Sequence, residues 1–479
     1  MTSDGVRYVD EVSVRVLGST TLPSVRIAPI SGSFVVQSEN GSYSRRTGRE
    51  VVITAIGNQV EISIDDRNER LASIRFLPEA GSALYLKTHN SNHSYAGELE
   101  VQSTSKGLRI LNIVPLEDYV ASVVGSEYGL DDLEGAKAMA VVARTYALYA
   151  LENGKELRDH EGFQVYGGLK RATPAARRAA QQTAGQVLEH KGNLIEAVYS
   201  ASNGGRTASN TIIWGSKPLP YLKSRKDSWD SKSPYASWTW TVSEKELHRA
   251  LTASFGLKVK DIRILEEAGD GRIESVRLKG NKSSKDVTGT AFRAAVARHF
   301  GSKSLRSTLF SANERRGTYT FKGKGFGHGV GLSQWGAHFM ALDGKSFSQI
   351  LDFYYADTQL DNRFGDESSR HARIELPVLT SRSYSKEAKG SPPVQRVSGE
   401  METPKEKRSV FSKKITRQRN RPKTSGNTAK RPLSVRNRKD QNALAGRVTY
   451  CTPIRLWRTE GSPYRLADVP IFSQRKISL

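Results

Sequence analysis

Five glycines stand at every second position in Gly323-Lys-Gly325-Phe-Gly327-His328-Gly329-Val-Gly331. A strand interior built this way would carry no side chains on one face and would lose the most backbone entropy on folding, so the segment is not ordinary sheet. Glycine at this density lets a backbone approach something closely. The run leads into Leu-Ser-Gln334-Trp335-Gly336, a helix start whose first N–H groups lie free beside the loop. No Lys-Ser/Thr pair follows the glycines, which excludes a phosphate loop of the GxxxxGK[ST] type, and no dinucleotide fingerprint fits. The expectation is a ligand-approach loop carrying His328 rather than a plain tight turn.

A second constraint lies upstream. After Pro115, Leu116, Tyr119, Val120, Val123 and Val124 fall at helical spacing and make one apolar stripe. Glu127 sits three and four residues beyond Val124 and Val123. If the helix continues, its carboxyl joins the buried face, loses hydration and keeps its proton nearer neutrality, as a general acid must. If the helix ends at Gly125, Glu127 is a solvated end residue; spacing alone leaves both open. A second helix runs over about 133–151, with alanines at 136, 140, 143 and 147 forming a face for close packing, and Lys137 and Arg144 also lie on it. Thr173-Pro174 starts a third helix, closed by Gly185, and 186–189 with 194–200 form a hairpin.

Two loops complete the candidates. Gln164-Val-Tyr166-Gly167-Gly168 and Tyr199-Ser-Ala-Ser202-Asn203-Gly204-Gly205 are polar, aromatic and glycine-bearing, suited to hydrogen-bonding sugars or peptides, although turn chemistry explains them equally well. Ser200 and Ser202 lack the GxSxG setting of an activated nucleophile. His89 and His93 lie four apart in a β context, where that spacing does not converge on a metal, and His160 and His190 read as loop residues.

Along the 479 residues the texture changes once early and once late. Residues 1–105 are β-branched runs broken by turns, an all-β accessory domain. Residues 106–365 mix helices and strands as an α/β core, with a β-rich segment over about 205–320. In it Ser243 and Glu246 set a helix start, and 262–266 and 272–279 flank a Gly-Asp-Gly hairpin turn. The fold class is thus α+β with a tail. Residues 380–479 hold 24 Lys/Arg against 7 Asp/Glu, and the remaining chain 49 against 42, so most of the formal +24 belongs to a basic tail that reads as disordered. Such a tail attracts polyanions without sequence specificity, and no specific nucleic acid is expected. Cys451 is the single cysteine, so no intramolecular disulfide forms and no cysteine-based zinc site exists. No stretch approaches a membrane span, and the first residues show no apolar run of signal-peptide length.

Together these segments resemble the SpoIID/LytB family, which includes stage II sporulation protein D and an amidase enhancer. The resemblance covers about residues 95–360. It rests on Val114-Pro-Leu-Glu-Asp-Tyr119, Ser126-Glu127, Ala136-Lys-Ala-Met-Ala-Val-Val-Ala-Arg-Thr-Tyr-Ala147, Gln164-Val-Tyr-Gly167, Ala201-Ser-Asn-Gly-Gly205, Leu305-Arg-Ser-Thr308, Gly325 to Ala337 and Ile350-Leu-Asp-Phe-Tyr-Tyr355. It implies a lytic transglycosylase that cuts peptidoglycan glycan strands, with Glu127 as the catalytic acid. Lys137, Arg144, Gln164, Tyr166, Ser202, Asn203, His328 and Gln334 would then be substrate contacts, Lys137 and Arg144 serving equally well in salt bridges. It also implies an extracytoplasmic location, despite the absent leader, and no cofactor. The alternative within the family is a non-catalytic enhancer that grips the wall and stimulates a partner amidase or other hydrolase; the tail would bind anionic wall polymers or lipid headgroups. Some members carry zinc ligands just before Gln-x-Tyr. Here Phe163 stands there and only His160 is near, so no zinc is expected.

Overall fold

The computed structural model describes residues 10–65 and 67–363. The basic tail, with Cys451, lies outside the described residues.

Alternation of apolar and polar residues builds the amino-terminal part. Glu11–Val16 and Gly107–Pro115 bury every second side chain, which is the pattern of a strand with one covered face. Seven strands form one sheet in the spatial order Leu157–Arg158, Glu11–Val16, Gly107–Pro115, Glu98–Thr104, Ser73–Pro78, Phe34–Ser38, Ser44–Thr47. Six more form a second, in the order Asn92–Tyr95, Leu84–Lys87, Ser24–Pro29, Val51–Ile56, Gln59–Ile64, Arg67–Leu71. Val14, Ile27, Phe34, Ile53, Phe76 and Leu86 are fully buried within one core cluster that joins the two sheets. The expected change at residue 105 coincides with the tight turn between Glu98–Thr104 and Gly107–Pro115, which pair along their whole length. The first sheet therefore runs directly into the helices. Asn92–Tyr95 and Glu98–Thr104 are separate strands in different sheets. Gly97 breaks them at φ +70°, and an added Cβ would meet the Ile113 carbonyl at 2.1 Å.

Among the described residues eight helices follow: α1 (Leu116–Glu127), α2 (Leu133–Glu152), α3 (Pro174–Gln182), α4 (Asn210–Trp214), α5 (Glu244–Phe255), α6 (Gly289–Phe300), α7 (Gln334–Leu342) and α8 (Phe347–Tyr354). The centre of the helical layer is α2, touched by α1, α3, α7 and α8. Its alanines at 136, 140, 143 and 147 are all buried, because a methyl-sized face lets four neighbours approach one helix. Thr173 caps α3 with Pro174 at its first position, and Ser346 and Gln349 cap α8 reciprocally. Ser243 caps α5 by accepting from the Glu246 N–H. Helix α3 ends at Gln182, earlier than Gly185.

The hairpin expected over 186–200 is shorter than its sequence suggests. Gln186–His190 pairs with Asn193–Leu194 on one side and with Gln359–Asn362 on the other. Successive tight turns at 195–198 then redirect the chain, and Tyr199–Ser200 pairs in parallel with Leu332–Ser333. Residues 238–323 enclose a second core around Leu247, Leu251, Val276, Leu278, Phe292 and Phe321. Two three-stranded sheets and helices α5 and α6 surround it, in the orders Trp238–Ser243, Thr318–Gly323, Phe310–Arg315 and Asp261–Glu267, Ile273–Lys279, Ser284–Thr288.

Candidate active site

Helix α1 does not end at Gly125. It continues to Glu127, whose side chain is fully buried. The glycine has a different purpose: a Cβ at 125 would lie 1.8 Å from the Arg171 carbonyl, so its absence lets the segment after the Gly168–Lys170 turn pack against the end of α1. Ser122 ties the same segment down, donating to the Gly168 carbonyl at 2.9 Å and accepting from the Gly167 N–H at 3.2 Å.

The chain passing over Glu127 is the Gln164-Val165-Tyr166 loop. The Val165 N–H donates to Glu127 Oε1 at 2.8 Å, which fixes the carboxyl by a backbone group. Gln164 is fully buried beside it. Its Oε1 accepts from the Tyr119 phenol at 3.0 Å and its Nε2 donates to the Tyr199 phenol at 3.4 Å. Both phenols are held well above the usual tyrosine range. Burial is the main cause for each, joined at Tyr119 by Tyr146 and Glu127, and at Tyr199 by Glu127. Gln164 thus bridges two neutral phenols beside Glu127. The hydroxyl of Ser126, the preceding residue, is buried with no hydrogen-bond partner.

A second cluster adjoins the first through Tyr199. Its strand pairs with Leu332–Ser333, and the alternating glycines run along residues 198–204. Added Cβ atoms would lie 1.9 Å from the Val198 carbonyl at Gly331, 2.8 Å from Ser200 Cβ at Gly327 and 2.9 Å from the Ser202 carbonyl at Gly325; at Gly329 one would lie 2.3 Å from the Arg272 guanidinium. What these glycines admit is the chain itself, so the expected ligand-approach loop is a self-packing loop. Here Asp230 gathers donors: the Ser202 hydroxyl at 2.8 Å, the Gly204 N–H at 2.7 Å and the Ser333 hydroxyl at 2.5 Å. Burial pushes its carboxyl up to about 6, against the Ser333 hydrogen bond, with the Asp227 charge adding to the rise. Asp227 accepts from the Asn203 amide and from the Tyr354 phenol of α8, both at 2.7 Å.

The structure divides the expected site residues. Glu127 and Gln164 lie together. Tyr166 sits behind them, donating to Asn112 Oδ1 at 2.5 Å and stacked on Tyr119 and Tyr95. Ser202 and Asn203 belong to the aspartate cluster. His328 accepts from the Val330 N–H at 3.0 Å and its ring meets Trp214 at 5.3 Å, while Gln334 Nε2 is buried without a hydrogen-bond partner. Arg144 does not reach substrate space: it is fully buried, binds Glu117 through two nitrogens at 2.8 and 2.5 Å, and donates to the Gln186 and Ala180 carbonyls. Lys137 bonds Glu134 at 2.7 Å and lies over the Phe347 ring, joining α2 to α8.

Sequence reasoning passed over Asp227 and Asp230, which carry no motif, and took Tyr119 as core packing. A metal does not fit the loop before Gln164. Phe163 packs on Tyr146, His160 Nδ1 accepts from the Gly162 N–H, and among the described residues no three His, Cys, Asp or Glu side chains converge.

Comparison with known proteins is consistent with this layout. Residues 104–190, which hold α1, α2 and the Val165 loop, match the family model described as Stage II sporulation protein. Stage II sporulation protein D of Bacillus amyloliquefaciens is 32% identical over 266 residues, covering 50% of this chain and 73% of that protein. The chain belongs to the SpoIID family. Stage II sporulation protein D of Bacillus subtilis is 31% identical over 271 residues, covering 52% of this chain and 74% of that one. The amidase enhancer of Bacillus subtilis is 31% identical over 274 residues, 48% of this chain but 38% of that longer protein. The chain therefore spans well under half of that relative. Residues 229–331 match a further model, described as Domain of unknown function (DUF8618). No helix among the described residues is long and apolar enough to cross a membrane.

Proposed function

We propose that the protein acts on the cell wall as a peptidoglycan lytic transglycosylase with Glu127 as its single acid and base. The observation that carries this proposal is the setting of Glu127: a carboxyl shut away from solvent, oriented by the Val165 N–H and with two neutral phenols beside it, in the segment that matches the family. Protonated Glu127 gives its proton to the oxygen linking N-acetylmuramic acid to N-acetylglucosamine. The C1–O bond breaks, its electron pair leaves with that oxygen, and positive charge develops at C1. The C6 hydroxyl of the same sugar attacks C1 and returns its proton to the carboxylate, closing a 1,6-anhydro ring without consuming water. Because the nucleophile belongs to the substrate, the second carboxyl of an ordinary glycosidase is unnecessary. Ser126 Oγ and Gln334 Nε2, two of the buried polar atoms without a hydrogen-bond partner, are the candidate sugar contacts. Sugar reaches Glu127 only when the 163–167 segment moves aside.

That enclosure favours a second reading, a wall-binding enhancer of a partner amidase, which also suits the likeness to the amidase enhancer. Both functions place the protein outside the cytoplasmic membrane. Incubating the protein with intact and with amidase-treated sacculi, followed by mass spectrometry, separates the two. Release of anhydro-muramyl fragments by the protein alone supports catalysis. Release that requires an added amidase, with no anhydro ends, supports the enhancer.

A further inference from the structure

The second core carries a cleft that the chemistry above does not use. It measures about 300 Å³ and lies between the strands Asp261–Glu267 and Phe310–Arg315. Each of these is an end strand of its sheet, so each leaves one backbone edge without a neighbouring strand among the described residues. On this segment the Ile262 N–H donates to Asp261 Oδ1 at 2.8 Å. Ile262, Ile264 and Ala312 give it half-buried apolar walls.

Its charge runs against that of the chain. The sequence carries a formal +24, yet the cleft holds Glu244, Asp261 and Glu314 against Lys260 alone. Burial, and then the charges of Asp261, Glu244 and Glu314, push the Tyr319 phenol up to about 12. Asp261 pairs with Arg263 at 3.0 Å, open to water and weak, and Glu244 lies 3.6 Å from the buried His248 ring. Glu314 accepts the Gly317 N–H. A sugar would need an open aromatic face to stack on. Tyr319 and Phe321 instead stack on each other at 6.2 Å and are buried. What remains on offer is a strand edge, apolar walls and negative charge.

We propose that this cleft takes an extended, lysine- or arginine-bearing segment of a partner protein. The segment adds as a strand to the free edge of Asp261–Glu267, with basic side chains on Glu244 and Glu314. Main-chain hydrogen bonds supply affinity and the carboxylates select charge.

The test is a fluorescently labelled, end-blocked hexapeptide of alternating Lys and Val, titrated against the full chain at low salt, with hydrogen exchange read in parallel. Saturable binding is expected, with slowed exchange in residues 261–267. Glu244→Gln and Glu314→Gln should each weaken it by about threefold. The same peptide N-methylated at every second amide keeps its charges but cannot pair with an edge, and should not bind. Equal binding by the methylated peptide, no protection at 261–267, or protection there by an N-acetylglucosamine tetramer but not by the peptide would overturn the proposal. The methylated-peptide arm uses the unaltered protein and does not depend on any variant folding.

Discussion

Gly331→Ala tests what the alternating glycines do. Gly331 has φ +70°, and its added Cβ would lie 1.9 Å from the Val198 carbonyl, a backbone atom that cannot rotate away. Gly344, after α7, has φ +78° and nothing within 4 Å of its added Cβ. Alanine at either position meets the left-handed penalty of about 1–2 kcal/mol. At 331 it also forces an overpacked contact of about 1–3 kcal/mol, for a total of about 2–5 kcal/mol. Urea unfolding of the full chain should show the midpoint falling for both variants, and by roughly twice as much for Gly331→Ala. Equal losses would refute the self-packing account. If Gly331→Ala also lost affinity for glycan while matching Gly344→Ala in stability, the ligand-approach loop would be restored.

Arg144→Met should destabilise the fold by about 3–5 kcal/mol, because it strands Glu117 beside a buried site; Arg144→Met with Glu117→Leu should recover part of that loss in the same urea assay. Asp230 carries a folded pKa of about 6, above the ordinary value near 3.9. Its contribution to stability is therefore fully present below about pH 4, lost as pH rises through about 6, and constant beyond, with a span of about 3 kcal/mol. Asp159, also raised to about 6, acts in the same direction, so Asp230→Asn should flatten, without abolishing, the pH 4–6 part of a melting-temperature profile. An unchanged slope would contradict the assigned burial.

What the sequence made legible was local. The apolar stripe from Leu116 places α1, Thr173-Pro174 starts α3, and Ser346 with Gln349 starts α8, because period, proline and capping chemistry act over a few residues. Strands such as Arg67–Leu71, exposed along most of its length and with one neighbour in its sheet, carry no apolar alternation to read. Gly125 looked like a helix stop because the Arg171 carbonyl it accommodates lies 46 residues away in sequence. The same limit hid the work of Arg144, whose partner Glu117 sits on another helix, and of Asp227 and Asp230, whose side-chain donors are Ser202, Asn203, Ser333 and Tyr354. Glycine spacing announced a close approach without naming what approached.

The site shows the same division. Glu127 and Gln164 were singled out by motif, and the structure places the Val165 amide and the Tyr119 and Tyr199 phenols around them. Those three partners come from separate elements and could be recognised only once the chain was folded.

The most direct test of the account is the muropeptide profile left by Glu127→Gln on amidase-treated sacculi, with the variant confirmed as folded by an unchanged urea midpoint. Glutamine keeps the shape and the acceptor for the Val165 N–H but cannot deliver the proton, so 1,6-anhydro-muramyl ends should fall by at least about a hundredfold. Anhydro ends produced at the unaltered protein's rate would contradict the assignment of Glu127 as the acid.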